Sequence, residues 1–426
     1  MTVKIYLPLF ALGILTALKG LSQTANDTIN KESVKKMITY LASDELKGRV
    51  NYSKEQLEAA EFINKEFSSF GLEPFPGFEN FYQPFRTSFG GKTAMVDVKW
   101  NDKKLNDSLY YFFSRSLSVP ALELSDFLIL RTTSQLADSI LYYNWNKTDN
   151  ILLQIVLDDT THFSEAINNI KAPGGMPASN ILIVGVKEEP VSLKVIPNKN
   201  LVTSVLYNVI GIIPGRSLPH EAIIFSAHYD HVNKGLDGQD GLFNGANDDA
   251  SGTTAVLELA KYFSMRKDNE RTIIFCLFAG EELGLLGSQA FINYVNSESI
   301  KAVINIEMIG IANIEGKNTF MLTGSGYSSL YKILKRNLKG DDVKIAGQYS
   351  DPQYLFRRSD NYTFAQEGIP AHTIMGSDDS EPCYHKPCDD VQRIDIENMT
   401  KFIKAIAKSA STLISGKDTP TRIKGF

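Results

Sequence analysis

Residues 221–230, EAIIFSAHYD, decide the fold class, because a nearly continuous apolar run ends there on a histidine and an aspartate. Such a run favours a strand that is buried on both faces of a sheet. Four more runs of this kind follow a common pattern: YNVIGIIPG (207–215), RTIIFCLFAGEE (271–282), KAVINIEMIG (301–310) and IPAHTIMG (369–376). Helical spacing fills the stretches between them, at 253–265, 287–295, 327–338 and 361–368. This alternation predicts an α/β fold with a mostly parallel, doubly wound central sheet and helices on both faces.

The rest of the chain divides into segments of different character. Apolar residues at helical spacing predict two N-terminal helices, over residues 32–43 and 53–70. Residues 86–200 hold short β-type runs instead, among them MVDVKW and NILIVGV, which predict a β-rich or mixed insertion. A chain of 426 residues is also too long for one ordinary core. We therefore expect N-terminal helices at 23–85, an inserted region at 86–200 and, at 201–426, the main part of the domain to which those helices belong.

The first 22 residues have the order of charged, apolar and small residues that is typical of a secretory signal peptide. Lys4 precedes an apolar run from Ile5 to Leu18, and the small residues Gly20 and Ser22 follow. The run is shorter than the roughly 20 residues that a membrane span needs. We expect cleavage near Ser22, export to the periplasm or the extracellular space, and no membrane association afterwards.

The composition gives no indication of a nucleic-acid partner, and it leaves open whether two of the cysteines form a disulfide. The net charge is −5, with 44 basic and 49 acidic side chains, so no basic excess indicates a nucleic-acid partner. Of the three cysteines, Cys276 lies in an apolar run and is expected to be buried. Cys383 and Cys388 are close enough in sequence for a small disulfide loop in an oxidising compartment, but spacing alone does not decide it.

Histidine and acidic residues fall where the predicted strands end. His228 and the pair Glu281–Glu282 each end a strand, and Glu307 lies near the end of another. Asp248 lies in the glycine-flanked loop NGANDDASG, and His385 follows the last strand. Because sites in parallel sheets form beyond the carboxyl ends of the strands, we expect these side chains to meet at one edge.

The predicted ligand set consists of two imidazoles and three carboxylates: His228, Asp248, Glu282, Glu307 and His385. One catalytic zinc takes three protein ligands and a water, so five ligands suit two zinc ions. Such ions lie roughly 3.5–4 Å apart and share a carboxylate. Taken singly, the Asp248 loop also fits an ordinary turn before a helix, and the glutamate pair also fits a solvated helix start.

Five ordered motifs resemble the two-zinc aminopeptidase family, which also includes glutamate carboxypeptidase and the glutaminyl cyclases. They are SAHYDHV (226–232), NGANDDASG (244–252), FAGEELGLLGS (278–288), NIEMIG (305–310) and CYHKPCDD (383–390). The opening LASDELKGR (41–49) and the segment RRSDNYTFAQEGIPA (357–371) are similar as well. The resemblance covers residues 34–71 and 203–415 and leaves out the insertion.

The resemblance implies a role for each matching residue. His228, Asp248 and Glu307 would hold one zinc, and Asp248 would be shared with Glu282 and His385, which hold the other. Glu281 would be the general base, and Tyr384 would donate a hydrogen bond to the developing oxyanion. Asp230 would orient the imidazole of His228. A cis peptide bond after Asp248 is also implied.

Two positions depart from the family pattern. Glu307 stands where the aminopeptidases usually have aspartate, and the extra methylene could change metal geometry or recognition of the substrate amine. Asn361 stands where the family often has histidine, and we assign it no ligand role. We expect His231 to be structural rather than a ligand. Arg357 and Arg358 are expected to be solvated or structural, with a contact to a substrate carboxylate as the alternative.

Four functions follow from this reading. The leading one is a secreted zinc exopeptidase that acts on peptides as an aminopeptidase. The alternatives are a glutaminyl cyclase-like transferase with one zinc, a carboxypeptidase for acidic dipeptides, and a binding protein on the same fold. Cobalt or manganese could replace zinc in a site of N and O ligands. The sequence leaves open the side-chain specificity, the oligomeric state and the role of the insertion.

Overall fold

The computed structural model describes residues 28–86, 96–106, 109–113, 121–145, 147–157, 163, 178–197, 205–232, 241–312, 316–347 and 354–425. The described residues within Met1–Phe85 and Leu206–Phe426 form one unit, and those within Arg86–Val205 form a second. The predicted signal peptide, residues 1–22, lies outside the described residues. None of the helices in the described ranges combines the length and the apolar character that crossing a membrane requires.

The described residues contain seventeen strands. In chain order they are β1 (Glu73–Pro74), β2 (Tyr82–Arg86), β3 (Val96–Trp100), β4 (Lys103–Lys104), β5 (Tyr110–Phe113), β6 (Leu122–Glu123), β7 (Phe127–Thr133), β8 (Asn150–Val156), β9 (Ile181–Val184), β10 (Leu193–Pro197), β11 (Val205–Ile213), β12 (Leu218–His228), β13 (Arg271–Phe278), β14 (Ile300–Glu307), β15 (Thr319–Leu322), β16 (Lys344–Gly347) and β17 (Ala371–Met375).

Nine α-helices accompany these strands in the described ranges. They are α1 (Lys31–Leu41), α2 (Lys54–Ser69), α3 (Ser134–Asn144), α4 (Ser251–Arg266), α5 (Leu286–Phe291), α6 (Leu330–Asn337), α7 (Asn361–Gln366), α8 (Ile396–Ser409) and α9 (Ser411–Ile414). The two predicted N-terminal helices are confirmed. Each begins after a capping side chain, since Asn30 accepts from the backbone N–H of Ser33 and Ser53 accepts from that of Gln56, both at 2.9 Å.

The main sheet has nine strands in the order β1-β11-β13-β12-β14-β17-β15-β16, with β2 paired to β11. The central strands β13, β12, β14 and β17 run parallel. Antiparallel pairs occur towards the edges, where β11 pairs with β13 and β15 pairs with β17. The predicted mostly parallel sheet is therefore confirmed, while the antiparallel direction of β11 and the short strands β15 and β16 were not predicted. The carboxyl ends of the four central strands meet at one edge.

Alternate side chains of the central strands face two separate apolar cores. Ile223 and Phe225 of β12 pack in the core that contains α1, α2, α4 and α8. Ile224, between them, packs in the core that contains α5 and α7. Helices therefore cover both faces of the sheet, as the apolar runs predict.

The second unit contains two four-stranded sheets. Their orders are β4-β3-β10-β6 and β5-β9-β8-β7. Strands β7, β8 and β9 run parallel, and the other pairs are antiparallel. Helix α3 packs Ala137 and Leu141 against β8 and β9. This unit has the mixed, β-rich character that the short runs of residues 86–200 predict.

Candidate metal centre

The predicted site residues meet at the carboxyl edge of the main sheet. His228 is the last residue of β12, and Glu307 is the last residue of β14. Glu281 and Glu282 follow β13 after the turn at Gly280, whose φ is +74°. Asp248 precedes α4, and His385 follows β17. Parallel direction and the order of the strands bring these side chains together.

Two groups of ligand atoms occur among the described residues, and they share one aspartate. The first contains His228, Asp248 and Glu307, and the second contains His231, Asp248, Glu282 and His385. Within each group the ligand atoms lie within 4.8 Å of one another. All five predicted ligands belong to these groups, and His231 is an additional member. Their roles as ligands stay predictions.

Asp248 lies between the two groups, with one oxygen towards each. Its Oδ1 is 3.3 Å from His228 Nε2, and its Oδ2 is 3.1 Å from His385 Nε2. His385 Nε2 is also 3.2 Å from Glu282 Oε1. The first group is looser at Glu307, whose Oε1 is 4.0 Å from His228 Nε2. One carboxylate thus faces both groups, which is the arrangement expected for two neighbouring cations.

The ring nitrogens of His228 and His385 fit a cation better than a hydrogen bond. Each Nε2 is buried and has no hydrogen-bond partner among the described residues, although carboxylate oxygens lie close by. A buried polar atom without a partner costs free energy. Because imidazole nitrogens and carboxylate oxygens are zinc ligands, a cation between them would satisfy both.

The charges of the site also fit cation binding. Burial raises the pKa of Glu307 to about 7, and the carboxylate of Asp248 adds to this effect. Burial lowers the pKa of His385, but its contacts with Asp248 and Glu282 outweigh burial and raise the value to about 10. Glu307 and His385 can therefore hold protons near neutral pH, and a divalent cation can replace those protons.

Glu281 belongs to neither ligand group, but the charges of His228, Glu282 and Glu307 act on its carboxyl group. Burial raises the pKa of its carboxyl group well above the ordinary value, and the charges of Glu282 and Glu307 add to the effect. Its backbone N–H and that of Glu282 both approach the carboxylate of Asp230, at 3.2 and 3.3 Å. A carboxyl group that is buried next to the ligands without joining them is suited to proton transfer.

Asp230 contacts both His228 and the glutamate pair. His228 Nδ1 is 3.1 Å from the backbone carbonyl of Asp230 and 3.8 Å from its carboxylate. The carboxylate instead accepts from the backbone of Glu281 and Glu282 and from Asn51 Nδ2 at 2.5 Å. The predicted orienting contact with His228 is therefore made by the backbone of Asp230.

The loop before α4 holds Asp248 by contacts that sequence reasoning missed. Asp389 accepts from the backbone N–H groups of Asn247 and Asp248, at 2.8 and 3.0 Å. Arg49, fully buried, donates to the backbone carbonyls of Asn244 and Gly245, at 2.7 and 3.0 Å. The peptide bond between Asp248 and Asp249 is cis, as the resemblance implies. Arg49 ends the motif LASDELKGR and Asp389 lies in CYHKPCDD, so both motifs contained a signal that had no assigned role.

Tyr384 lies against the second ligand group. Its ring stacks on that of His385 with a centroid distance of 3.9 Å. Burial, together with the charges of Asp248 and Glu282, raises its pKa well above the ordinary value, so the hydroxyl keeps its proton. Arg358 Nη2 donates to the Tyr384 oxygen at 3.1 Å. The phenol is therefore available as a hydrogen-bond donor.

The open questions about the neighbouring residues have structural answers. Cys383 and Cys388 form a disulfide that closes the loop carrying Tyr384 and His385, and Cys276 is free and buried.

The side chain of Asn361 makes hydrogen bonds within the fold, because Nδ2 donates to the Phe356 carbonyl at 3.0 Å and Oδ1 accepts from Thr373 at 2.7 Å. These contacts agree with giving Asn361 no ligand role.

Comparison with known proteins shows which family the residues of this centre resemble. Residues 208–410 match the sequence profile of Peptidase family M28. Aminopeptidase YwaD of Bacillus subtilis is 27% identical over 251 residues, which cover 56% of this chain and 50% of that protein. The chain spans about half the length of the curated relatives it matches.

Solved structures show the same fold. BSAP, a zinc aminopeptidase from Bacillus subtilis, aligns with a TM-score of 0.57 at 16% identity, over 91% of this chain and 95% of that one. A glutaminyl cyclase from Bacteroides thetaiotaomicron aligns with a TM-score of 0.51 at 13% identity, over 92% and 99%. The comparisons thus show that residues 208–410 are similar to peptidase family M28 and that the chain has the fold of these enzymes.

Proposed function

We propose that this chain is a zinc-dependent aminopeptidase that hydrolyses the N-terminal bond of peptides. One observation carries the proposal: two groups of ligand atoms share Asp248, and the buried Nε2 atoms of His228 and His385 have no other partner among the described residues. The match of residues 208–410 to peptidase family M28 supports peptide hydrolysis, and the similarity to YwaD supports an aminopeptidase.

Two zinc ions per chain are part of the proposal. His228, Asp248 and Glu307 would hold one ion, and Asp248, Glu282 and His385 would hold the other. Asp248 supports this count because its two oxygens face different groups. The structural neighbour BSAP is a zinc aminopeptidase, which supports zinc as the metal.

The chain's own residues supply the proton transfers. When bound, zinc acts as a Lewis acid towards the scissile carbonyl and makes water a stronger nucleophile at neutral pH. Glu281 would take the proton of the attacking water and return it to the leaving amine. Its position beside the ligand groups and its raised pKa support this role. A positioned general base contributes roughly 10²–10⁴-fold to the rate.

Tyr384 would stabilise the developing oxyanion through its hydroxyl. Arg358 occupies a lone pair of the same oxygen and leaves the phenolic proton for donation. Removal of one such donor costs roughly 2.7–4 kcal/mol of transition-state stabilisation. Tyr384→Phe should therefore lower kcat far more than it changes KM.

A glutaminyl cyclase-like transferase with one zinc is the second candidate. The 4.0 Å separation between Glu307 Oε1 and His228 Nε2 favours it, because that ligand group is the looser one. The fold similarity to a glutaminyl cyclase agrees with it as well. One tightly bound zinc per chain together with ammonia release from N-terminal Gln peptides would establish this function.

The deciding experiment compares Glu281→Ala with the wild type on aminoacyl-nitroanilides, dipeptides and N-terminal Gln peptides, with metal content measured in parallel. We expect the variant to keep its zinc and its fold and to lose most turnover. Glu298→Ala, at an exposed position, is the control and should retain full activity. An active Glu281→Ala enzyme would contradict the role of Glu281, and an inactive wild type with intact metal would contradict the aminopeptidase.

Export remains part of the proposal. The signal-peptide pattern of residues 1–22 supports it, although that segment lies outside the described residues. N-terminal sequencing of protein recovered from the medium or periplasm should find a chain that begins near Gln23.

A further inference from the structure

We propose that His231 is a positioning residue for the metal centre, and that its Nδ1–H group holds the Glu282 carboxylate in the orientation needed to bind a cation. The inference rests on the proposed function, because it concerns the cation that Glu282 would share with Asp248 and His385. His231 is buried, and its Nδ1 lies 3.1 Å from Glu282 Oε1.

The geometry separates His231 from the other two histidines of the centre. The contact between His231 Nδ1 and Glu282 Oε1 has the distance and angles of a hydrogen bond. His385 Nε2 is just as close to Glu282 Oε1, at 3.2 Å, yet that atom has no hydrogen-bond partner among the described residues. His385 therefore points its ring nitrogen between the oxygens, as a ligand would, whereas His231 points at one oxygen.

Distances to Asp248 agree with this distinction. His385 Nε2 is 3.1 Å from Asp248 Oδ2, so it is nearly equidistant from both carboxylates of the group. His231 Nδ1 is 3.8 Å from the same Asp248 oxygen and is displaced towards Glu282. Because His231 Nδ1 is close to Glu282 and further from Asp248, we infer that it orients the Glu282 carboxylate and is not itself a ligand of the cation.

The position of the proton on the imidazole ring also indicates that His231 orients Glu282 and does not bind the cation. A carboxylate only accepts, so the hydrogen bond with Glu282 requires a proton on His231 Nδ1. If Nδ1 were a metal ligand, the proton would have to lie on Nε2. Nε2 of His231 is buried and has no hydrogen-bond partner within the described ranges. A buried N–H left without an acceptor is unfavourable, so the tautomer with the proton on Nδ1 is preferred.

The ring of His231 is held in place by its neighbours. A Cβ atom at Gly245 would lie 2.6 Å from His231 Cγ, so the glycine leaves the space that the ring fills. The ring of His385 packs edge-on against it at a centroid distance of 5.5 Å. Backbone pairing with Val50 fixes the main chain of His231. The hydrogen bond to Glu282 is therefore prepared before any cation binds.

The test uses three substitutions in the full chain and measures zinc affinity by competition with a chromogenic chelator. His231→Asn places its side-chain amide nitrogen where Nδ1 lies, His231→Gln places it one bond further out, and His231→Ala removes the donor. A group that supports a metal ligand typically contributes 10–100-fold to metal affinity. We expect the Ala and Gln variants to bind one zinc, the ion that Asp248, Glu282 and His385 would hold, roughly 10–100-fold more weakly, and the Asn variant to stay within a few-fold of the wild type.

His372→Asn is the matched control, because His372 is also fully buried but contacts Ser328 and Thr323 instead of a ligand. Its zinc affinity should match the wild type, whatever its effect on the melting temperature. If Asn loses one zinc as completely as Ala, His231 is a ligand and the inference is wrong. Unchanged affinity in both Ala and Gln also overturns it. If the wild type binds no zinc, the proposed function is wrong, and the result says nothing against His231 in particular. If His231→Ala does not fold, the difference in zinc affinity between His231→Asn and His231→Gln still tests the inference.

Discussion

Asp389 accepts a hydrogen bond at 3.0 Å from the backbone N–H of Asp248, the residue that faces both ligand groups. Its other oxygen accepts from the backbone N–H of Asn247 at 2.8 Å. Since His385 lies four residues before Asp389, this carboxylate connects the loop of His385 to the loop of Asp248. The relative position of two predicted ligands thus depends on a residue that is not a ligand.

Asp389→Asn should therefore weaken metal binding without changing any ligand. The amide can accept only one of the two N–H groups, and its own NH₂ group meets the other. We expect looser zinc in the chelator assay and a fall of about 1–3 kcal/mol in the free energy of unfolding. Asp342→Asn, at an exposed aspartate, should change neither quantity. Wild-type values for both quantities in Asp389→Asn would refute this connection.

Arg49→Met should destabilise the fold severely. The guanidinium donates to four backbone carbonyls, those of Leu41, Tyr229, Asn244 and Gly245, at 2.6 to 3.0 Å. Each buried carbonyl that loses its donor costs about 1–3 kcal/mol, so we expect a loss of roughly 3 kcal/mol or more in urea unfolding. Arg216→Met removes only an exposed ion pair and serves as the comparison, with an expected change below about 0.5 kcal/mol. An equal effect of the two substitutions would show that Arg49 has no special part in holding these loops.

Metal counts should follow the sharing of Asp248. Elemental analysis should find two zinc ions in the wild type and one each in Glu307→Ala and Glu282→Ala. Asp248→Ala should retain neither ion, because both groups lose a member. Glu281→Ala is the reference, since Glu281 belongs to neither group, and should retain both. A full equivalent of zinc in Asp248→Ala would disprove the shared ligand.

Glu258→Gln should stabilise the protein above pH 6. Glu258 is buried on α4, where burial raises its pKa from 4.5 to about 6, despite a hydrogen bond from Ser33. Between pH 4.5 and 6 the folded chain keeps a proton that the unfolded chain has released, so stability falls as pH rises through this window. The difference between the two pKa values corresponds to roughly 2 kcal/mol.

Urea unfolding of Glu258→Gln and wild type at several pH values checks this prediction. The two proteins should have similar stability below about pH 4.5, and the variant should be more stable by roughly 2 kcal/mol above pH 6. Glu61→Gln, at an exposed position on α2, controls for the loss of one negative charge. A stability difference that does not depend on pH would show that the charge of Glu258 is not the cause.

The sequence alone determined the elements and the edge of the sheet where the site lies. The apolar runs predicted β12, β13, β14 and β17, and helical spacing predicted α1, α2 and α4. These patterns are local, because the spacing of apolar residues that distinguishes a helix from a buried strand is visible within a short stretch of sequence. Once the strands are parallel, their carboxyl ends coincide, so His228 and Glu307 meet without further information.

Tertiary structure alone decided how the site is held. Arg49 and Tyr229 are 180 positions apart, and Asp389 and Asp248 are 141 apart, so no local pattern relates them. The direction of β11, the disulfide between Cys383 and Cys388, and the contact of His231 with Glu282 are likewise results of packing. The sequence predicts the candidate ligands because only a few side-chain types, here histidine and carboxylates, bind zinc. The groups that orient those ligands depend on which distant backbone atoms the fold brings within hydrogen-bonding distance.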